Sequence, residues 1–363
     1  MKILILANHY NTLRIFRREL IKKLSEIGHD VVLSIPECDE ENKAILESYG
    51  ARVIFTDFER RGMNPISDFS LFRKYKKLIK AESPDKVICY TIKCNIYGGL
   101  ACRLLKIEHY ANITGLGSTF QNQSLVRRLV SFLYKLSLKK TKRVFFENEG
   151  NRNTIVDDRI IDPRKCVVLP GAGVNLDEFT ATPYHENQDT LNFLFIGRIM
   201  QEKGVDELFS VIKRLNNNNH KCHFDFIGWY EDNYKETVEA MERGGLLTFH
   251  GFQSDVKPYI ERAHCIVHPS WHEGMSNTLL EASAMCRPII TSNIHGCKEA
   301  VVDGKNGYLF EVKNADSLYN SIEKFISLSK QERIEMGVFG RTLMKDRFDK
   351  NFVVEMTLKE IFN

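Results

Sequence analysis

Two series of short apolar runs, separated by a polar stretch, constrain the fold of this 363-residue chain more than any other feature. Within each series, runs of β-forming residues alternate with segments that have the period of an amphipathic helix. This alternation is typical of parallel βαβ units, so we predict an α/β protein with two doubly wound domains in tandem. The runs are KILILAN, DVVLSI, RVIFTD, KVICYT, HYANIT, RVFFEN and CVVLP in the first series, and NFLFIG, HFDFIG, LTFHGF, CIVHPS, PIITSN and GYLF in the second.

The polar stretch TATPYHENQDT marks the expected domain boundary. The length agrees with two domains, because single hydrophobic cores stop growing near about 250–300 residues. We expect a first Rossmann-like domain over residues 1–180, a second over 181–342, and a C-terminal helix over 343–363 that packs back toward the first domain. Ligands of open α/β sheets bind beyond the carboxyl ends of the strands, so we expect a site in a cleft between two facing domains.

Charge is divided unevenly along the chain. Residues 1–183 carry a net charge of +9 and the remaining residues −5, so the first half is expected to meet an anionic partner. The segment 127–143 holds seven Lys and Arg side chains and no acid. Helical spacing places four apolar side chains of this segment on one side: Leu129, Phe132, Leu133 and Leu136.

A solvated helix face and contact with an anionic membrane surface or a lipid phosphate both fit this basic segment. Nucleic acid fits less well, because no zinc-finger spacing or aromatic-glycine RNA motif accompanies the charge.

Two carboxylates stand eight positions apart in HEGMSNTLLEASA. Glu273 falls in the loop after the strand CIVHPS, and Glu281 falls on a helix for which Ser276 is the expected N-cap. Free N–H groups at such a helix start, with the helix dipole, make an anion site. A glycosidase pair would need its carboxylates on opposite sides of the scissile bond, which one loop and one helix do not readily supply. Carboxylates beside a phosphate suit hydroxyl groups of a sugar and a ribose, although the spacing alone also fits an exposed helical Glu.

The region HPSWHEGMSNTLLEASAMCRPIITSNIHGCKEAVVDGKNGYLF resembles the signature region of the family-4 retaining glycosyltransferases, including its E-x7-E motif. The segment IGRIMQEKGVDEL is similar to the Gly-Arg and Lys-Gly segment of the same family, and GHDVVL and LPGAGVNLDEF occur in the matching order. TGLGS and HGCKE are typical of its bacterial members that extend undecaprenyl-diphosphate-linked sugars.

The resemblance implies a GT-B fold, in which two Rossmann-like doubly wound domains face each other across a cleft. It implies that the first domain binds the acceptor, a lipid-diphosphate-linked sugar, and that the second binds the donor, a nucleotide sugar whose base is uracil by preference. The implied reaction is transfer of a hexose or N-acetylhexosamine with retention, without a metal ion or another cofactor, in the biosynthesis of bacterial surface polysaccharide or glycan.

The resemblance also implies a role for each matching residue. Arg198 and Lys203 match the pair that holds the donor diphosphate and stabilises charge on the leaving nucleotide. Glu281 matches the carboxylate that binds the ribose, and Glu273 matches the one near the donor hexose. The other expected donor contacts, through backbone or side-chain groups, are Gly197, Phe252, Gln253, Gly274, Met275, Ser276 and Asn277, of which Phe252 and Gln253 frame the base.

The sequence shows three departures from the family pattern. Thr114 and Gly115 stand on the acceptor side where many relatives have a His, so no side-chain base is assigned, and the departing phosphate is expected to take the acceptor proton on the same face. Cys286 stands where relatives have Gly, which costs about 1 kcal/mol of strain if φ is positive there. Met275 replaces a commoner aromatic residue and is expected to change the shape of the pocket.

The sequence provides little support for a metal site. The histidines and the cysteine of AHCIVHPSWH are dense, but strand alternation sends Cys265 and His268 to opposite faces, and no Asp-x-Asp element occurs.

The N-terminus MKILILANHY is too short in apolar residues for a signal h-region or a membrane span. We therefore expect a cytoplasmic protein. The basic segment 127–143, together with the lipid-linked acceptor that the resemblance implies, predicts that it is peripheral on the cytoplasmic face of the inner membrane.

Two other functions fit the same architecture. A UDP-sugar 2-epimerase also binds UDP between two such domains, but it needs further acid and base residues around C2 for which the sequence gives no support. A non-catalytic binding subunit of a polysaccharide assembly fits only if Cys286 and the absent His mark lost activity, and the intact Arg198, Lys203, Glu273 and Glu281 argue against it.

Overall fold

The computed structural model describes residues 1–59, 62, 64–117, 120, 124–184 and 190–363. The chain divides into two compact units. The first unit consists of Met1–Ala172 and Asn351–Asn363, and the second unit consists of Gly173–Lys350. Each unit is an α/β structure built on its own parallel sheet, as the alternation of apolar runs predicts.

Within the described residues, the first unit contains a seven-stranded sheet in the order β3-β2-β1-β4-β5-β6-β7, with all neighbouring strands parallel. All seven apolar runs of the first series form strands. The strands are β1 (Lys2–Leu6), β2 (Asp30–Ile35), β3 (Ala51–Phe55), β4 (Lys86–Tyr90), β5 (Glu108–Ile113), β6 (Val144–Phe146) and β7 (Cys166–Val168).

Helices connect these strands, as parallel pairing requires. They are α1 (Tyr10–Arg14), α2 (Arg18–Glu26), α3 (Glu40–Glu47), α4 (Pro65–Glu82), α5 (Gly99–Leu105), α6 (Leu125–Leu138) and α7 (Glu149–Asp157), and one π-helical turn, Cys94–Gly98, precedes α5.

The second unit contains a six-stranded parallel sheet in the order β10-β9-β8-β11-β12-β13, counted over the described residues. Its strands are β8 (Leu191–Ile196), β9 (Cys222–Ile227), β10 (Thr248–Phe249), β11 (Cys265–His268), β12 (Ile289–Ser292) and β13 (Gly307–Phe310). Its helices are α8 (Val205–Asn217), α9 (Lys235–Arg243), α10 (Lys257–Arg262), α11 (Asn277–Ala284), α12 (Ala315–Ser327) and α13 (Lys330–Arg347).

Both faces of each sheet are covered by apolar packing. In β1, Ile3 and Ile5 belong to one core cluster, whereas Leu4 and Leu6 belong to another on the opposite face. Strand β8 of the second unit is buried on both sides in the same way. This two-sided burial explains why the strands are continuous apolar runs rather than alternating ones.

The division between the units falls at Ala172 and Gly173, eight residues before the boundary expected from the sequence. The segment after it is bound to the end of the second unit: Val174 N–H donates to Phe348 O (2.8 Å), and Lys350 N–H donates to Val174 O (3.0 Å). These main-chain bonds explain why residues 173–180 belong to the second unit although the polar composition changes only later.

The expected C-terminal helix over 343–363 is two helices in the structure. Helix α13 ends at Arg347, and α14 (Lys350–Phe362) follows. In the first unit, Tyr110 Oη donates to Ile361 O (2.8 Å), and Val353 and Val354 pack in the same core cluster as β1. The last turns of the chain are therefore part of the first unit.

Helix α6 buries a different face from the one that helical spacing predicts. Its buried residues are Val130, Tyr134, Ser137 and Leu138. Leu129 and Phe132 are 48% and 57% exposed, whereas Leu133 and Leu136 are partly buried. Only half of the predicted apolar stripe therefore faces solvent.

The basic segment 127–143 is also less uniform than its composition indicates. Arg127 forms an ion pair with Asp158 (2.8 Å) and Arg143 forms one with Glu360 (2.7 Å). The exposed cations are Arg128, Lys135, Lys139, Lys140 and Lys142. None of the described helices combines the length and the apolar character needed to cross a bilayer.

Cys286 has the positive φ at which backbone strain is expected from the sequence. Its φ is +61°, directly after the end of α11. Cys286 N–H donates to Ser283 O (3.1 Å) and Arg287 N–H donates to Ala282 O (2.9 Å), which closes the helix in the manner of a glycine C-terminal cap. A non-glycine residue is therefore strained at this position.

Candidate active site

The second sheet brings the predicted donor residues to one edge. Because its strands are parallel, their carboxyl ends meet at the same edge. Gly197 and Arg198 follow β8, the loop 269–276 follows β11, and Phe252 follows β10. The structure thus collects at one edge residues that lie between positions 197 and 276 of the chain.

The turn that carries Lys203 lies directly against the loop after β11. Gly204 follows Lys203 with φ of +70°, and a Cβ at Gly204 would lie 2.1 Å from the carbonyl oxygen of Pro269. Only glycine allows the two segments to approach this closely. The N–H of Trp271 donates to Glu202 O (2.9 Å), which ties the same segments together.

Lys203 and Glu273 form an ion pair, in which Lys203 Nζ contacts Glu273 Oε1. His268 Nε2 contacts the same oxygen at 2.9 Å. Burial alone would raise the pKa of Glu273, but the Lys203 charge and the hydrogen bond from His268 outweigh burial and hold that pKa well below its usual range. Glu273 is therefore an ionised acceptor at the edge of the sheet.

Ser276 occupies the N-cap position of α11, as the sequence predicts, but its hydroxyl does not cap the helix. Instead Ser276 Oγ lies 3.2 Å from His268 Nε2. The side chain that would ordinarily satisfy an N–H group of the first turn is thus engaged elsewhere. The N-terminus of α11, beginning at Asn277, keeps its capacity to bind an anion.

The HGCKE segment, residues 295–299, packs directly against the loop 269–276. Gly296 has φ of +89°, and a Cβ there would lie 2.6 Å from Gly274 O. Gly296 O accepts from Ser276 N–H (2.8 Å), and Gly296 N–H donates to Glu299 Oε2 (2.7 Å). This motif therefore shapes the loop that carries Glu273.

Glu281 lies on α11 in an environment unlike that of Glu273. Its side chain is partly buried, and no hydrogen bond or ion pair reaches its carboxylate from the part of the chain that the structure describes. Burial raises the pKa of Glu281 to about 7, which the charges of Lys350 and Lys257 only partly oppose. The two carboxylates of the E-x7-E motif thus have opposite pKa shifts.

Arg198 reaches the site from the end of β8 with a loosely held guanidinium. Its Nη1 lies 3.8 Å from Glu231 Oε2, and its side chain is partly exposed. Trp229 Nε1 donates to the same oxygen at 3.4 Å. Glu231 therefore connects the predicted diphosphate-binding Arg198 to an aromatic residue.

Two exposed aromatic rings stand beside this connection. Trp229 is 47% exposed and Phe252 is 66% exposed, and their ring centroids are 5.8 Å apart in an edge-to-face arrangement. Gln253, the other predicted base contact, donates from Nε2 to His250 O (2.7 Å). Rings this exposed on the same edge provide flat apolar surface for a planar ligand group.

The remaining predicted donor residues are placed differently. Asn277 is the first residue of α11, and Gly274 lies in the loop beside Glu273. The Met275 side chain is buried in one of the core clusters of the second unit. The expectation that Met275 changes the shape of the pocket stays a prediction.

In the first unit, Thr114 and Gly115 directly follow β5 and are partly exposed. They lie at the carboxyl edge of their own sheet, which is where an α/β sheet binds its ligand. Ser118, the last residue of the TGLGS motif, lies outside the described residues.

His264, Cys265, His268 and His272 do not form a metal-binding group. Across the described ranges, no three or more His, Cys, Asp and Glu side chains converge in that way. His268 contacts Glu273, and His272 instead lies 3.4 Å from Glu202.

Two known families match this chain. The family described as glycosyl transferases group 1 matches residues 178–340, and the family described as glycosyl transferase 4-like matches residues 2–148. The chain belongs to the family-4-like glycosyltransferases of the GT-B fold. The recognition made from the E-x7-E and Gly-Arg segments is therefore confirmed.

This glycosyltransferase is 28% identical to the N,N'-diacetylbacillosaminyl-diphospho-undecaprenol alpha-1,3-N-acetylgalactosaminyltransferase of Campylobacter jejuni, with 95% of this chain and 94% of that protein covered. It is 26% identical to the UDP-Gal:alpha-D-GlcNAc-diphosphoundecaprenol alpha-1,3-galactosyltransferase of Escherichia coli, with 75% and 74% covered.

The fold is shared with solved structures over almost the whole chain. Anabaena HepE in complex with UDP and glucose superposes with a TM-score of 0.81 at 16% identity, covering 99% of both chains. Sucrose-phosphate synthase from Thermosynechococcus elongatus superposes with a TM-score of 0.78 at 16% identity, covering 99% of this chain and 98% of that one. The predicted GT-B fold is confirmed.

Sequence reasoning missed three residues of this glycosyltransferase's candidate site: His268, Trp229 and Glu231. A polar residue at the last position of a buried strand was the available signal for His268. Trp229 directly follows the glycine that ends the run HFDFIG, so it too was available from its place after a strand. The contact of Glu231 with Arg198 joins distant segments and has no sequence signal.

Proposed function

We propose that this glycosyltransferase transfers a hexose or N-acetylhexosamine, with retention, from a UDP-sugar to a lipid-diphosphate-linked sugar during the assembly of bacterial surface polysaccharide or glycan. The observation that carries the proposal is the cluster of Lys203, Glu273 and His268 beside the uncapped N-terminus of α11. It combines a cation and N–H groups for a diphosphate with an ionised carboxylate for a sugar hydroxyl.

The similar proteins support the substrate classes. The Campylobacter jejuni and Escherichia coli relatives act, by their names, on sugars linked to undecaprenol through a diphosphate. The Escherichia coli relative uses UDP-Gal, and Anabaena HepE binds UDP and glucose. A UDP-sugar donor and a lipid-linked acceptor are the common chemistry that we carry over to this chain.

Arg198, Lys203 and the first N–H groups of α11 are the proposed diphosphate site. Negative charge develops on the leaving UDP as the bond from C1 of the sugar to the phosphate oxygen breaks. A preorganised cation at that position contributes about 3 kcal/mol to stabilising the transition state. Arg198 is loosely held at 3.8 Å from Glu231, so it can turn to the phosphate without leaving a close partner.

Glu281 is the proposed ribose acceptor. A partly buried carboxylate that receives no hydrogen bond from the described residues retains its acceptor capacity for two vicinal hydroxyl groups. Partial burial deprives the Glu281 carboxylate of hydrogen bonds from water, and the ribose hydroxyl groups would replace them.

Trp229 and Phe252 are the proposed contacts of the base. Their exposed rings stand at the carboxyl ends of β9 and β10, on the Arg198 side of the site. Stacking on an aromatic ring binds a pyrimidine through its apolar face.

We propose a same-face transfer for the chemical step. The bond from the acceptor oxygen to C1 forms on the face from which the phosphate departs, and the hydroxyl proton passes to an oxygen of the departing diphosphate. No proton needs to move to Thr114 or Gly115, which agrees with the absence of a basic side chain at those positions.

The same charges make a metal ion unnecessary in this proposal. Arg198, Lys203 and the dipole of α11 supply the positive field that a divalent cation provides in other phosphoryl sites. Activity should survive an excess of EDTA. Complete loss, restored by Mg²⁺ or Mn²⁺, would contradict this part of the proposal.

We also propose that the first unit contacts an anionic membrane surface. Helices α4 and α6 each follow a strand of the parallel sheet, so both begin at its carboxyl edge. Large apolar side chains are exposed in their first turns: Ile66, Phe69, Leu125, Val126, Leu129 and Phe132. The same α6 segment carries exposed cations, of which Arg128 lies in its first turn and Lys139, Lys140 and Lys142 follow its end, and exposed apolar and basic side chains together are the composition of an interfacial anchor.

The experiment that tests the function is a transfer assay with a panel of UDP-sugars and a synthetic polyprenyl-diphosphate-linked sugar. We expect UDP release that depends on the acceptor, and NMR of the product should show the anomeric configuration of the donor. Formation of an epimer without transfer would indicate an isomerase. Nucleotide binding without any turnover would indicate a binding subunit.

A further inference from the structure

His268 stands between the two halves of the candidate donor site. It is the last residue of β11 and only 3% exposed. Its Nε2 lies 2.9 Å from Glu273 Oε1 and 3.2 Å from Ser276 Oγ. One ring nitrogen thus contacts both the carboxylate proposed for the sugar and the residue at the start of α11.

The chemistry of the partners fixes the tautomer. An ionised carboxylate only accepts hydrogen bonds, so the proton of a neutral His268 is on Nε2. Ser276 Oγ then accepts from the same N–H group. His268 Nδ1 is buried and has no hydrogen-bond partner in the parts of the chain that are described. The ring is therefore placed by its Nε2 contacts and not by its other nitrogen.

The backbone of His268 is held independently of those contacts. Thr291 Oγ1 on the neighbouring strand β12 donates to His268 O at 2.8 Å. The side chain consequently projects from a fixed point on a buried strand, which is the condition for holding another group in place.

Lys203 Nζ and His268 Nε2 both contact the same oxygen of Glu273, Oε1. If Lys203 turns to a donor diphosphate, the contact with His268 continues to hold the Glu273 carboxylate in position. The second contact has a different effect. In the position where Ser276 Oγ contacts His268, it does not cap α11, and the N–H groups of the first turn stay open for the same diphosphate.

We propose that His268 is a positioning residue with these two effects: it holds the Glu273 carboxylate when the donor takes Lys203, and it keeps the Ser276 hydroxyl from capping α11. The inference rests on the proposed function, because both effects concern binding of a nucleotide diphosphate-sugar. It assigns a task to a residue that need not touch the donor.

Four variants separate these effects from packing. In His268→Gln, the side-chain amide can donate from nearly the position of Nε2. In His268→Met the volume is filled without a donor, and in His268→Asn the amide is too short to reach Glu273. His268→Met with Ser276→Ala removes in addition the hydroxyl that could cap α11. Ser283→Ala is the matched control, because Ser283 is a buried serine of the same helix whose hydroxyl has no partner among the described residues.

The measurements are UDP affinity by calorimetry, kcat and KM with the best UDP-sugar of the panel, and the melting temperature. We expect His268→Met and His268→Asn to weaken UDP binding about fivefold, the value of one helix cap, and to lower kcat about tenfold or more. Adding Ser276→Ala should restore UDP affinity to within about threefold but leave kcat low. His268→Gln and Ser283→Ala should stay within about threefold of wild type in both quantities.

Two results overturn the inference. One is wild-type UDP affinity and kcat in a folded His268→Met or His268→Asn protein. The other is a His268→Gln protein that is as impaired as these variants at an equal melting temperature, because packing alone would then explain the residue. If the wild-type protein itself neither binds UDP nor transfers a sugar, the proposed function fails and the inference falls with it, which is a distinguishable result.

Discussion

Lys203 and Glu273 form an ion pair in which each side chain is only 15% exposed. The pair joins the turn after β8 to the loop after β11. We expect Lys203→Met to lower the free energy of unfolding by about 3 kcal/mol, because it leaves a desolvated carboxylate with a smaller set of partners. Glu273→Gln should recover part of this loss in the double variant, because the amide carries no charge. Urea denaturation of the four proteins measures the coupling.

A coupling energy below about 0.5 kcal/mol would mean that the two side chains contribute independently. The pair would then resemble an exposed surface ion pair and would not hold the two loops together.

Arg198 provides the cleaner test of charge at the leaving group, because its only ion pair with another described residue is the loose one with Glu231, at 3.8 Å. Arg198→Ala should lower kcat by about 100-fold or more while the free energy of unfolding changes little. Steady-state kinetics and urea denaturation of the same preparation check both statements. Arg214→Ala is the control, since Arg214 makes an exposed ion pair with Asp316, and unchanged turnover in Arg198→Ala would contradict the assignment.

Glu281 should make the stability of the protein depend on pH. Its pKa is about 7 in the folded protein and about 4.3 in an unfolded chain. Between these values the folded state binds a proton that the unfolded state has lost, so the contribution of Glu281 to stability is present below about pH 4.3 and is lost as pH rises through about 7.

Glu281→Gln cannot ionise, so its stability relative to wild type should increase by about 2 kcal/mol between pH 5 and pH 8. Urea denaturation at both pH values measures the difference, and Glu335→Gln, an exposed position on α13, is the control. A constant difference would show that the Glu281 pKa is not raised. Glu281→Gln should also weaken UDP binding in calorimetry, because an amide oxygen accepts less hydrogen bonding than a carboxylate.

The parallel sheets were predictable from the sequence because two-sided burial leaves long apolar runs, as in Ile3, Leu4, Ile5 and Leu6. The Glu273 loop and α11 were predictable from the same logic and from the family motifs. The absence of a side-chain cap on α11 was not predictable. The Ser276 hydroxyl contacts His268 instead of capping its own helix, and this contact depends on the position of a different strand, β11. The buried face of α6 was missed for a similar reason, since periodicity does not distinguish the apolar side that packs from the one left in solvent.

Cys286 is a position at which stability can be increased. Its φ of +61° is strained for a residue with a Cβ but not for glycine. We expect Cys286→Gly to raise the free energy of unfolding by up to about 1 kcal/mol, and Cys286→Ala, which keeps the Cβ, to give no such gain. Urea denaturation of both variants decides the point. A gain for alanine equal to that for glycine would show that loss of the thiol, not relief of backbone strain, is responsible.

The basic segment 127–143 should bind anionic vesicles reversibly. Its exposed cations each contribute about 1 kcal/mol near an anionic surface, and salt screens this attraction over a Debye length of about 10 Å at 0.1 M. We expect the protein to sediment with phosphatidylglycerol vesicles at low salt, but not at high salt or with phosphatidylcholine vesicles. A variant with Lys139→Glu, Lys140→Glu and Lys142→Glu should stay in solution and still bind UDP through the second unit.

Two further variants separate net charge from the proposed surface. Lys213→Glu, Lys221→Glu and Lys235→Glu make the same change in net charge at exposed positions of the second unit, so that protein should still sediment at low salt. Leu129→Ser with Phe132→Ser removes apolar area without changing charge and should weaken binding, because interfacial anchoring also depends on buried apolar area. If the two triple variants lose vesicle binding equally, long-range charge is sufficient to explain it. If the wild-type protein ignores all vesicles, the exposed face of α6 is a solvated helix face and a soluble acceptor becomes the better hypothesis.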